Sequence, residues 1–425
     1  MSATLPHDLP GWLGYIERVH PATIDMGLDR VREVLDRLDI AKFCPLFIVG
    51  GTNGKGSTCT MIEAVLQAAG YRVGKYLSPH LLRYNERVRI DARDAGDESI
   101  VDGFSAVEAA RGRTQLTYFE FATLAAWVSF SRAKLDALVL EVGLGGRLDA
   151  VNVFEPDCSV LTSVAMDHMD YLGDTREKIG WEKAHIFRAN KPAICTDTDP
   201  PQSVIDYAKE IAADLQLIGR DFGFEASDKQ QWLFGSRLGK RSGLPYPRLR
   251  GANQLFNASA CLAALEAMRD RLPVSAQDVR QGLLRAELPG RFQVLPGRPA
   301  VVLDVGHNPH AAKVLADNLS NMGFFKTTFA VVGMLRDKDL RGVFEQLRGR
   351  IDHWYVATLD NPRGAKADEL AQAIAEAQVG GDVERHETPR AAYASAKAKA
   401  RQDDRILVFG SFFTVADVMQ VHGHS

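Results

Sequence analysis

Hydrophobic residues occur along this chain in short runs that alternate with amphipathic segments. The run Leu46–Val49 is followed by a glycine-rich loop, and the apolar positions of Met61–Ala69 then recur at helical spacing before Gly70. This order predicts a buried strand, a loop and a helix that stops at the glycine. The runs Ala137–Val142 and Ser159–Val164 predict further buried strands. Strands that are apolar on both faces and separated by helices indicate a parallel sheet covered on both sides.

The same rhythm restarts more regularly near Ala300 and predicts a second, smaller domain. Strands and helices alternate there in the manner of a Rossmann-like α/β fold. The predicted strands are Val301–Val305, Thr328–Val332, Trp354–Ala357 and Ile406–Phe409, and the clearest helices are Ala311–Leu319 and Asp368–Ala377.

The segment Leu288–Pro299 is rich in turn-forming residues, which is typical of an interdomain hinge. We therefore place a boundary near residue 296, and the predicted domains are residues 1–296 and 297–425. Within the first domain, polar residues and glycine dilute the pattern over Thr196–Arg248. We predict a β-rich insertion in that stretch.

Composition narrows the class of protein without identifying its chemistry. The 425 residues are 46% hydrophobic and 25% charged, as in a globular multidomain chain. The net charge of -3 argues against a surface built to hold nucleic acid. The chain shows neither a membrane-spanning apolar run nor a secretory signal, and its five scattered cysteines form no CxxC pair. We expect a cytoplasmic protein with no nucleic-acid or membrane partner, and nothing demands more than a monomer.

The loop between the first predicted strand and helix is a candidate phosphate site. Gly50–Thr58 directs several backbone N–H groups and a helix N-terminus at one point, Lys55 adds a positive charge, and Ser57 or Thr58 supplies a hydroxyl. The strict P-loop formula is not met, because Gly56 follows the lysine; a purely structural glycine turn is the alternative. The predicted fold is a P-loop, parallel-sheet ATPase domain followed by the smaller Rossmann-like α/β domain.

Several ionisable residues lie at or near predicted strand ends. Glu141 ends the strand that begins at Ala137, where an acidic Mg²⁺ ligand would sit, although pairing with an arginine is the alternative. His168 is predicted to end the next strand, and a structural role for it is as compatible with the sequence as Mg²⁺ ligation. Asp304 and His307 lie at the corresponding edge of the second domain. Kinase, ATPase and ligase chemistry all remain open on these residues.

Taken together, three motifs in this order resemble one family. The chain is similar to the folylpolyglutamate synthase/dihydrofolate synthase family, a branch of the ATP-dependent Mur ligases. The motifs are GTNGKGST at Gly51–Thr58, SPHL at Ser78–Leu81 and DVGHNP at Asp304–Pro309. The resemblance runs over nearly the whole chain.

The resemblance implies one reaction, with ATP and one or two Mg²⁺ ions as cofactors. A folate-precursor carboxylate attacks the γ-phosphate of ATP to give an acyl phosphate and ADP, and the amine of L-glutamate then displaces phosphate. The implied small-molecule partners are dihydropteroate, reduced folates, L-glutamate and ATP. An acyl phosphate hydrolyses readily, so water must be kept from it.

The resemblance also assigns roles to individual residues. ATP binding falls to Asn53, Gly54, Lys55, Gly56, Ser57, Asn257, Arg291 and Asp304. Ser78, Glu141 and His168 are the implied Mg²⁺ ligands. Lys55, Lys183 and His307 are the implied catalytic residues. The pterin-bearing substrate is expected against Asp25, Met26, Gly27, Leu28, Thr117, Tyr118, Phe119, Glu120, Leu148, Asp149 and Ala150.

The resemblance changes the interpretation of His168 and Lys183 and leaves that of Tyr118 and Phe119 open. Lys183 reads as a solvated helix residue, yet it matches a lysine that is carbamylated in the superfamily. Tyr118 and Phe119 are equally compatible with a place in the core. The segment 78–90 is expected to be a mobile cover.

The leading interpretation is a bifunctional ligase that joins L-glutamate to dihydropteroate, forming dihydrofolate, and to reduced folates. Three rival functions differ from it. A synthase restricted to polyglutamylation would share almost every motif. A Mur ligase acting on UDP-sugar peptides would need a separate UDP-binding domain, for which the stretch before Leu46 leaves little room. A P-loop ATPase acting as a conformational switch would need neither glutamate nor a folate.

Overall fold

The chain divides into two compact units. The computed structural model describes residues 5–22, 24–228, 230–251 and 253–422. The first unit runs to Ala165 and includes Met169–Arg248 and Leu255–Ala286. The second comprises Met166–His168, Leu249–Gln254 and the chain from Glu287 onward.

A largely parallel sheet forms the centre of the first unit. Its strands lie in the order β4-β3-β2-β5-β1-β6-β7-β8, with β3 and β4 antiparallel to the rest. The strands are β1 (Leu46–Gly50), β2 (Val73–Tyr76), β3 (Val88–Ile90), β4 (Arg93–Asp94), β5 (Ala137–Glu141), β6 (Cys158–Leu161), β7 (Pro192–Cys195) and β8 (Asp214–Leu217). The inner strands β1 and β5 are buried along their whole length, as their uninterrupted apolar runs predict.

Helices flank this sheet, and a small antiparallel sheet follows it along the chain. The helices are α1 (Leu9–Ile16), α2 (Asp29–Leu38), α3 (Lys55–Ala68), α4 (Asp97–Arg111), α5 (Tyr118–Ser131), α6 (Met169–Leu172), α7 (Arg176–Ala184), α8 (Gln202–Glu210), α9 (Gln254–Ala267) and α10 (Ala276–Arg285). The small sheet contains β9 (Phe222–Ala226), β10 (Gln231–Ser236) and β11 (Gly239–Pro245).

The second unit is a smaller α/β fold with strand order β12-β13-β17-β14-β15-β16. Only β12 runs antiparallel to its neighbour among the described strands of this sheet. The strands are β12 (Gln293–Leu295), β13 (Ala300–Asp304), β14 (Thr328–Val332), β15 (His353–Ala357), β16 (Asp382–His386) and β17 (Arg405–Phe409). The helices are α11 (Pro309–Asn321), α12 (Leu340–Gln346), α13 (Ala367–Ala377), α14 (Pro389–Lys399) and α15 (Phe412–His422).

The predicted fold class is confirmed, and some local predictions need correction. Strand β6 ends at Leu161, not Val164, because the next residues leave the sheet to hold the phosphate loop. His168 therefore lies in a loop beyond the strand, with a left-handed backbone (φ 52°). The stretch 196–248 contains the predicted β structure, but its first part supplies α8 and β8 to the main sheet.

The domain boundary at residue 296 stays a prediction. The compact second unit takes in the chain from Glu287, because β12 pairs with β13 in the second sheet. In the described ranges, no helix is long and apolar enough to cross a membrane.

Candidate active site

The glycine-rich loop joins β1 to α3 at the carboxyl edge of the first sheet. Helix α3 begins at Lys55, whose ammonium group donates to the Gly51 carbonyl oxygen at 3.0 Å. The loop is held from the side by Thr162, whose hydroxyl donates to the Asn53 carbonyl oxygen at 2.6 Å, and by Ser163, whose hydroxyl accepts from the Asn53 N–H at 3.0 Å. Gly56 and Ser57 are buried in the first helical turn.

Two glycines of this loop leave room that a side chain would fill. A Cβ on Gly51 (φ 138°) would lie 2.0 Å from the Thr162 hydroxyl oxygen, and one on Gly54 (φ 89°) would lie 2.4 Å from Asn257 Oδ1. Asn257 of α9 therefore lies against the loop, as an ATP-binding assignment requires. The buried Thr58 hydroxyl has no hydrogen-bond partner among the described residues. Backbone N–H groups, a lysine and spare hydroxyl capacity are the groups that hold phosphate oxygens.

The structure brings two of the three predicted metal ligands together. Strands β2 and β5 are neighbours, and Glu141 Oε2 accepts a hydrogen bond from the Ser78 N–H at 2.9 Å. A buried carboxylate beside a hydroxyl suits Mg²⁺, which prefers oxygen ligands and retains water or substrate oxygens. His168 belongs to the residues grouped with the second unit. Within the described residues, no cluster of three or more His, Cys, Asp or Glu side chains forms a metal site.

Lys183 is buried in the last turn of α7, so the interpretation as a solvated helix residue is wrong. Lys183 is only 5% exposed. The loop after Glu141 packs on its backbone, since a Cβ on Gly146 would lie 2.9 Å from the Lys183 carbonyl oxygen. Arg147 pairs with Glu182 at 2.9 Å and fixes that loop.

Two predicted substrate segments are joined by an arginine that the motifs do not single out. Arg30 pairs with Asp25 at 2.9 Å and with Glu120 at 2.9 Å. Glu120 also accepts from the Thr117 N–H, which it caps at the start of α5. Leu28 precedes α2, the helix that carries Arg30.

The third predicted substrate segment meets the other two around glycines. The Phe119 ring lies against Gly143, where a Cβ would be 2.6 Å away, and the methyl carbon of Met26 lies 3.8 Å from a Cβ built on Gly145. Asp149 accepts from the Leu144 and Val151 N–H groups and organises this loop. Burial nevertheless raises the pKa of Asp149 to about 6.

The remaining substrate candidates differ in burial. Ala150 is buried at the start of a short 3-10 turn, whereas Leu148 and Gly27 are partly exposed. Tyr118 packs edge-to-face on Tyr84, and burial raises the pKa of Tyr118 to about 12. Tyr118 and Phe119 are both partly buried and pack against the hydrophobic core, and a role in binding a flat ring stays a prediction.

In the second unit, Asp304 ends β13 and braces the loops around it. Its carboxylate accepts from the Gly306 N–H at 2.7 Å and from the Phe292 N–H at 2.9 Å. Burial raises the pKa of Asp304 despite these bonds. The Arg291 guanidinium lies 5.4 Å above the Phe412 ring.

A charged cluster surrounds Asp167 in the same unit. Lys338 donates to Asp167 at 2.8 Å and lies 3.5 Å from His168 Nε2, while the Asn308 amide donates to Asp167 at 3.1 Å. His307 Nε2 lies 3.8 Å from the same carboxylate. Burial alone would raise the pKa of Asp167, but His168 and Lys338 hold that pKa below its ordinary value.

The geometry defines the protonation of His307. Its Nδ1 lies 3.0 Å from the Val305 carbonyl oxygen, which can only accept, so Nδ1 carries the proton. Burial, reinforced by Lys338, lowers the pKa of His307 to about 4. The neutral ring therefore presents an unprotonated Nε2 at neutral pH.

Sequence reasoning assigned no role to Lys338 or Arg30. Lys338 is separated from Asp167 by 171 residues along the chain, and no short motif connects them. The only available signal was a lysine soon after a predicted strand end, which is too common to be informative.

Two family models match the chain and cover most of both units. The Mur ligase middle domain matches residues 49–265, and the Mur ligase glutamate ligase domain matches residues 290–412. Among curated proteins, dihydrofolate synthase/folylpolyglutamate synthase of Escherichia coli is 44% identical over 97% of this chain and 95% of its own length. The protein of the same name from Haemophilus influenzae is 40% identical over 99% of this chain and 98% of its own.

Solved structures agree with these matches. Escherichia coli FolC in complex with DHPP and ADP superposes with a TM-score of 0.94 at 43% identity, covering 100% of this chain and 99% of that one. A bifunctional folylpolyglutamate synthase/dihydrofolate synthase with Mn, AMPPNP and L-glutamate bound gives a TM-score of 0.91 at 44% identity, with 100% of both chains covered.

The first unit has a phosphate loop at the edge of its parallel sheet, and the second α/β unit matches a glutamate ligase model. Together they define an ATP-dependent, ADP-forming ligase of the Mur type. Identities of 40–44% across the full length go further. The chain belongs to the dihydrofolate synthase/folylpolyglutamate synthase family.

Proposed function

We propose that the protein joins L-glutamate to dihydropteroate, forming dihydrofolate, and also extends reduced folates with glutamate. The observation that carries the proposal is the full-length similarity to bifunctional relatives, one of them solved with Mn, AMPPNP and L-glutamate. The phosphate loop and the convergence of the three candidate substrate segments support it.

The reaction proceeds in two balanced steps. An oxygen of the acceptor carboxylate attacks the γ-phosphorus of ATP, the bond to the β-phosphate oxygen breaks, and ADP leaves. The glutamate amine then attacks the acyl carbon, loses a proton and expels inorganic phosphate as the amide forms. Most of the acceleration comes from positioning and from neutralising charge on the transferred group.

Individual residues supply those effects. Lys55 would exchange its loop carbonyl partners for the phosphate oxygens, together with the N–H groups of Asn53, Gly54, Gly56 and Ser57. His307 Nε2 would accept the proton that the glutamate ammonium must lose, because its other nitrogen is already committed to Val305. Asn257, Arg291 and Asp304 complete the ATP contacts that the family resemblance assigns.

Ser78, Glu141 and His168 would hold Mg²⁺, which supplies charge neutralisation at the phosphate oxygens when bound. Glu141 is buried and accepts a hydrogen bond from the partly buried Ser78, an arrangement that fits such an ion. A carbamylated Lys183 would add a carboxylate: the neutral amine attacks CO₂ and releases one proton. The burial of Lys183 supports this modification.

The decisive experiment measures ADP release and products with dihydropteroate or tetrahydrofolate, each with ATP and labelled glutamate. Glutamate-dependent turnover with both acceptors is expected. Turnover with tetrahydrofolate alone would reduce the function to polyglutamylation. ADP release at full rate without glutamate or folate would instead indicate an ATPase switch.

The carbamylation proposal has its own test. Lys183→Ala should lose at least about 100-fold in kcat, and short carboxylates should restore part of it. Lys178→Ala is the matched control, since Lys178 lies on the same helix with an exposed side chain. Unimpaired Lys183→Ala activity would contradict the proposal.

We further propose that the protein works as a cytoplasmic monomer. All five cysteines are buried free thiols, which fits a reducing compartment.

A further inference from the structure

Among the residues that the structure describes, Arg87 is a buried cation without an anionic partner. The residue ends the short 3-10 turn Tyr84–Arg87 within the segment 78–90 and is 8% exposed. None of the ion pairs among the described residues involves it, although a guanidinium keeps its charge at any physiological pH. Burying a charge costs free energy unless an opposite charge or several hydrogen bonds compensate it.

The contacts that the described residues make with the Arg87 guanidinium come from neutral groups. Its Nε donates to His80 Nδ1 at 2.9 Å, and a ring nitrogen that accepts belongs to an uncharged imidazole. Its central carbon lies 5.5 Å from the centroids of both the Tyr84 and the Tyr118 rings, and it also faces the Tyr76 hydroxyl. Cation–π contacts stabilise the charge but leave most of the guanidinium donors for another group.

The position of Arg87 connects the candidate metal site with the candidate folate site. Its carbonyl oxygen accepts from the Leu77 N–H at 3.0 Å, and the next residue, Ser78, donates to Glu141. On its other side lies the ring of Tyr118, which belongs to the predicted substrate segment. A substrate carboxylate at this place would lie near both candidate sites, where the reaction can phosphorylate it.

We propose that Arg87 binds the carboxylate of the folate acceptor and orients it for attack on ATP; this inference rests on the proposed function. The planar guanidinium matches a carboxylate with two parallel hydrogen bonds, which a lysine cannot reproduce. The two tyrosine rings hold the guanidinium in one plane, so its orientation is set before the acceptor binds. The required ligand is therefore a substrate that presents an aryl or alkyl carboxylate at this point.

The test compares dihydropteroate with its uncharged methyl ester. Equilibrium binding of both compounds to the full chain, in the presence of Mg²⁺ and ADP, is measured for the unmodified protein, Arg87→Met, Arg87→Lys and the control Arg83→Met. Arg83 lies in the same segment with its side chain 71% exposed. Steady-state kinetics then give KM for dihydropteroate and for ATP separately.

The unmodified protein and Arg83→Met should bind the acid roughly 10- to 100-fold more tightly than the ester, which corresponds to hydrogen bonds between charged groups. Arg87→Met should lose this preference and raise KM for dihydropteroate by a similar factor, with KM for ATP nearly unchanged. If Arg87→Met does not fold, Arg87→Lys carries the test and should lose several-fold of the preference.

An unchanged preference for the acid in either Arg87 variant would overturn the proposal, and so would a rise confined to KM for ATP. Failure of the proposed function is recognised separately. In that case the unmodified protein releases no ADP in the presence of glutamate and either acceptor, whatever the Arg87 variants bind.

Discussion

Buried carboxylates in this protein differ in pKa because their neighbours differ. Asp149 and Asp304 accept only backbone hydrogen bonds at short range, and burial raises the pKa of each. Asp167 is also largely enclosed, but Lys338 and two histidines surround it and its pKa falls. An adjacent cation therefore outweighs desolvation, whereas two or three amide dipoles do not.

The raised pKa of Asp149 predicts a pH-dependent stability. An unfolded aspartate ionises near pH 4, so between about pH 4 and pH 6 the folded state binds the extra proton. The stabilisation is complete below that window and is lost as the pH rises through 6. From pH 4.5 to 7.5, the wild type should lose about 2 kcal/mol of unfolding free energy relative to Asp149→Asn. Denaturant unfolding at both values checks this, and a pH-independent difference would contradict it.

The charge of Lys338 is predicted to control the pKa of the neighbouring His307. Burial and the Lys338 charge together lower the pKa of His307 to about 4, while Asp167 opposes them. Lys338→Met should therefore raise the pKa of His307 by at least about one unit, and ring NMR signals followed against pH measure it. Lys313→Met, an exposed substitution in the same unit, should leave the titration where it is. An unshifted His307 in Lys338→Met would show that the lysine does not control it.

At the scale of elements, ion pairs join the segment that precedes α2 to the start of α5. Arg30 of α2 holds the Asp25 segment against the start of α5, and Thr117 and Glu120 close that helix with a reciprocal capping box. Such caps satisfy backbone groups that would otherwise be unpaired. Two of the candidate substrate segments, at Asp25 and at Glu120, thus depend on Arg30 for their relative position.

Replacing that arginine should affect stability and binding together. Arg30→Met leaves the buried Glu120 carboxylate without its cation, and the unfolding free energy should fall by about 1–3 kcal/mol. KM for dihydropteroate should also rise several-fold, with KM for ATP unchanged. Arg32→Met on the exposed face of α2 is the control. Equal effects of the two substitutions would rule out a special role for Arg30.

A fully buried ion pair also connects β2 with α3, the helix that follows the phosphate loop. Lys75 of β2 pairs with Glu63 of α3 and donates to the Thr60 hydroxyl, while Arg89 of β3 reaches the same glutamate at 3.2 Å. Strand β2 leads directly to the Ser78 loop. This network therefore connects the helix that begins at Lys55 with the loop that carries Ser78 and Arg87.

At the scale of the molecule, the monomer proposal gives a direct prediction. Size-exclusion chromatography with light scattering should report a mass near 46.7 kDa that does not change with concentration. A species of about twice that mass would contradict it. The thermal unfolding temperature should likewise be independent of protein concentration.

The sequence predicted elements well where the pattern is apolar and regular. Strands β1, β5, β14 and β17 lie within a residue of their predicted bounds. Strand β16 was not predicted, because Asp382–His386 is a polar edge strand with no apolar alternation. The end of β6 was placed too late, because Thr162 and Val164 look like strand residues although tertiary contacts draw them out of the sheet.

What the sequence determined by itself is local: the strand–loop–helix order, the glycines that open the phosphate loop, and the motifs that identify the family. The tertiary structure alone decided the burial of Lys183, the pairing of Lys338 with Asp167 and the neutral surroundings of Arg87. The physical reason is that backbone patterns depend on neighbouring residues, whereas the electrostatic environment of a side chain depends on groups far away along the chain.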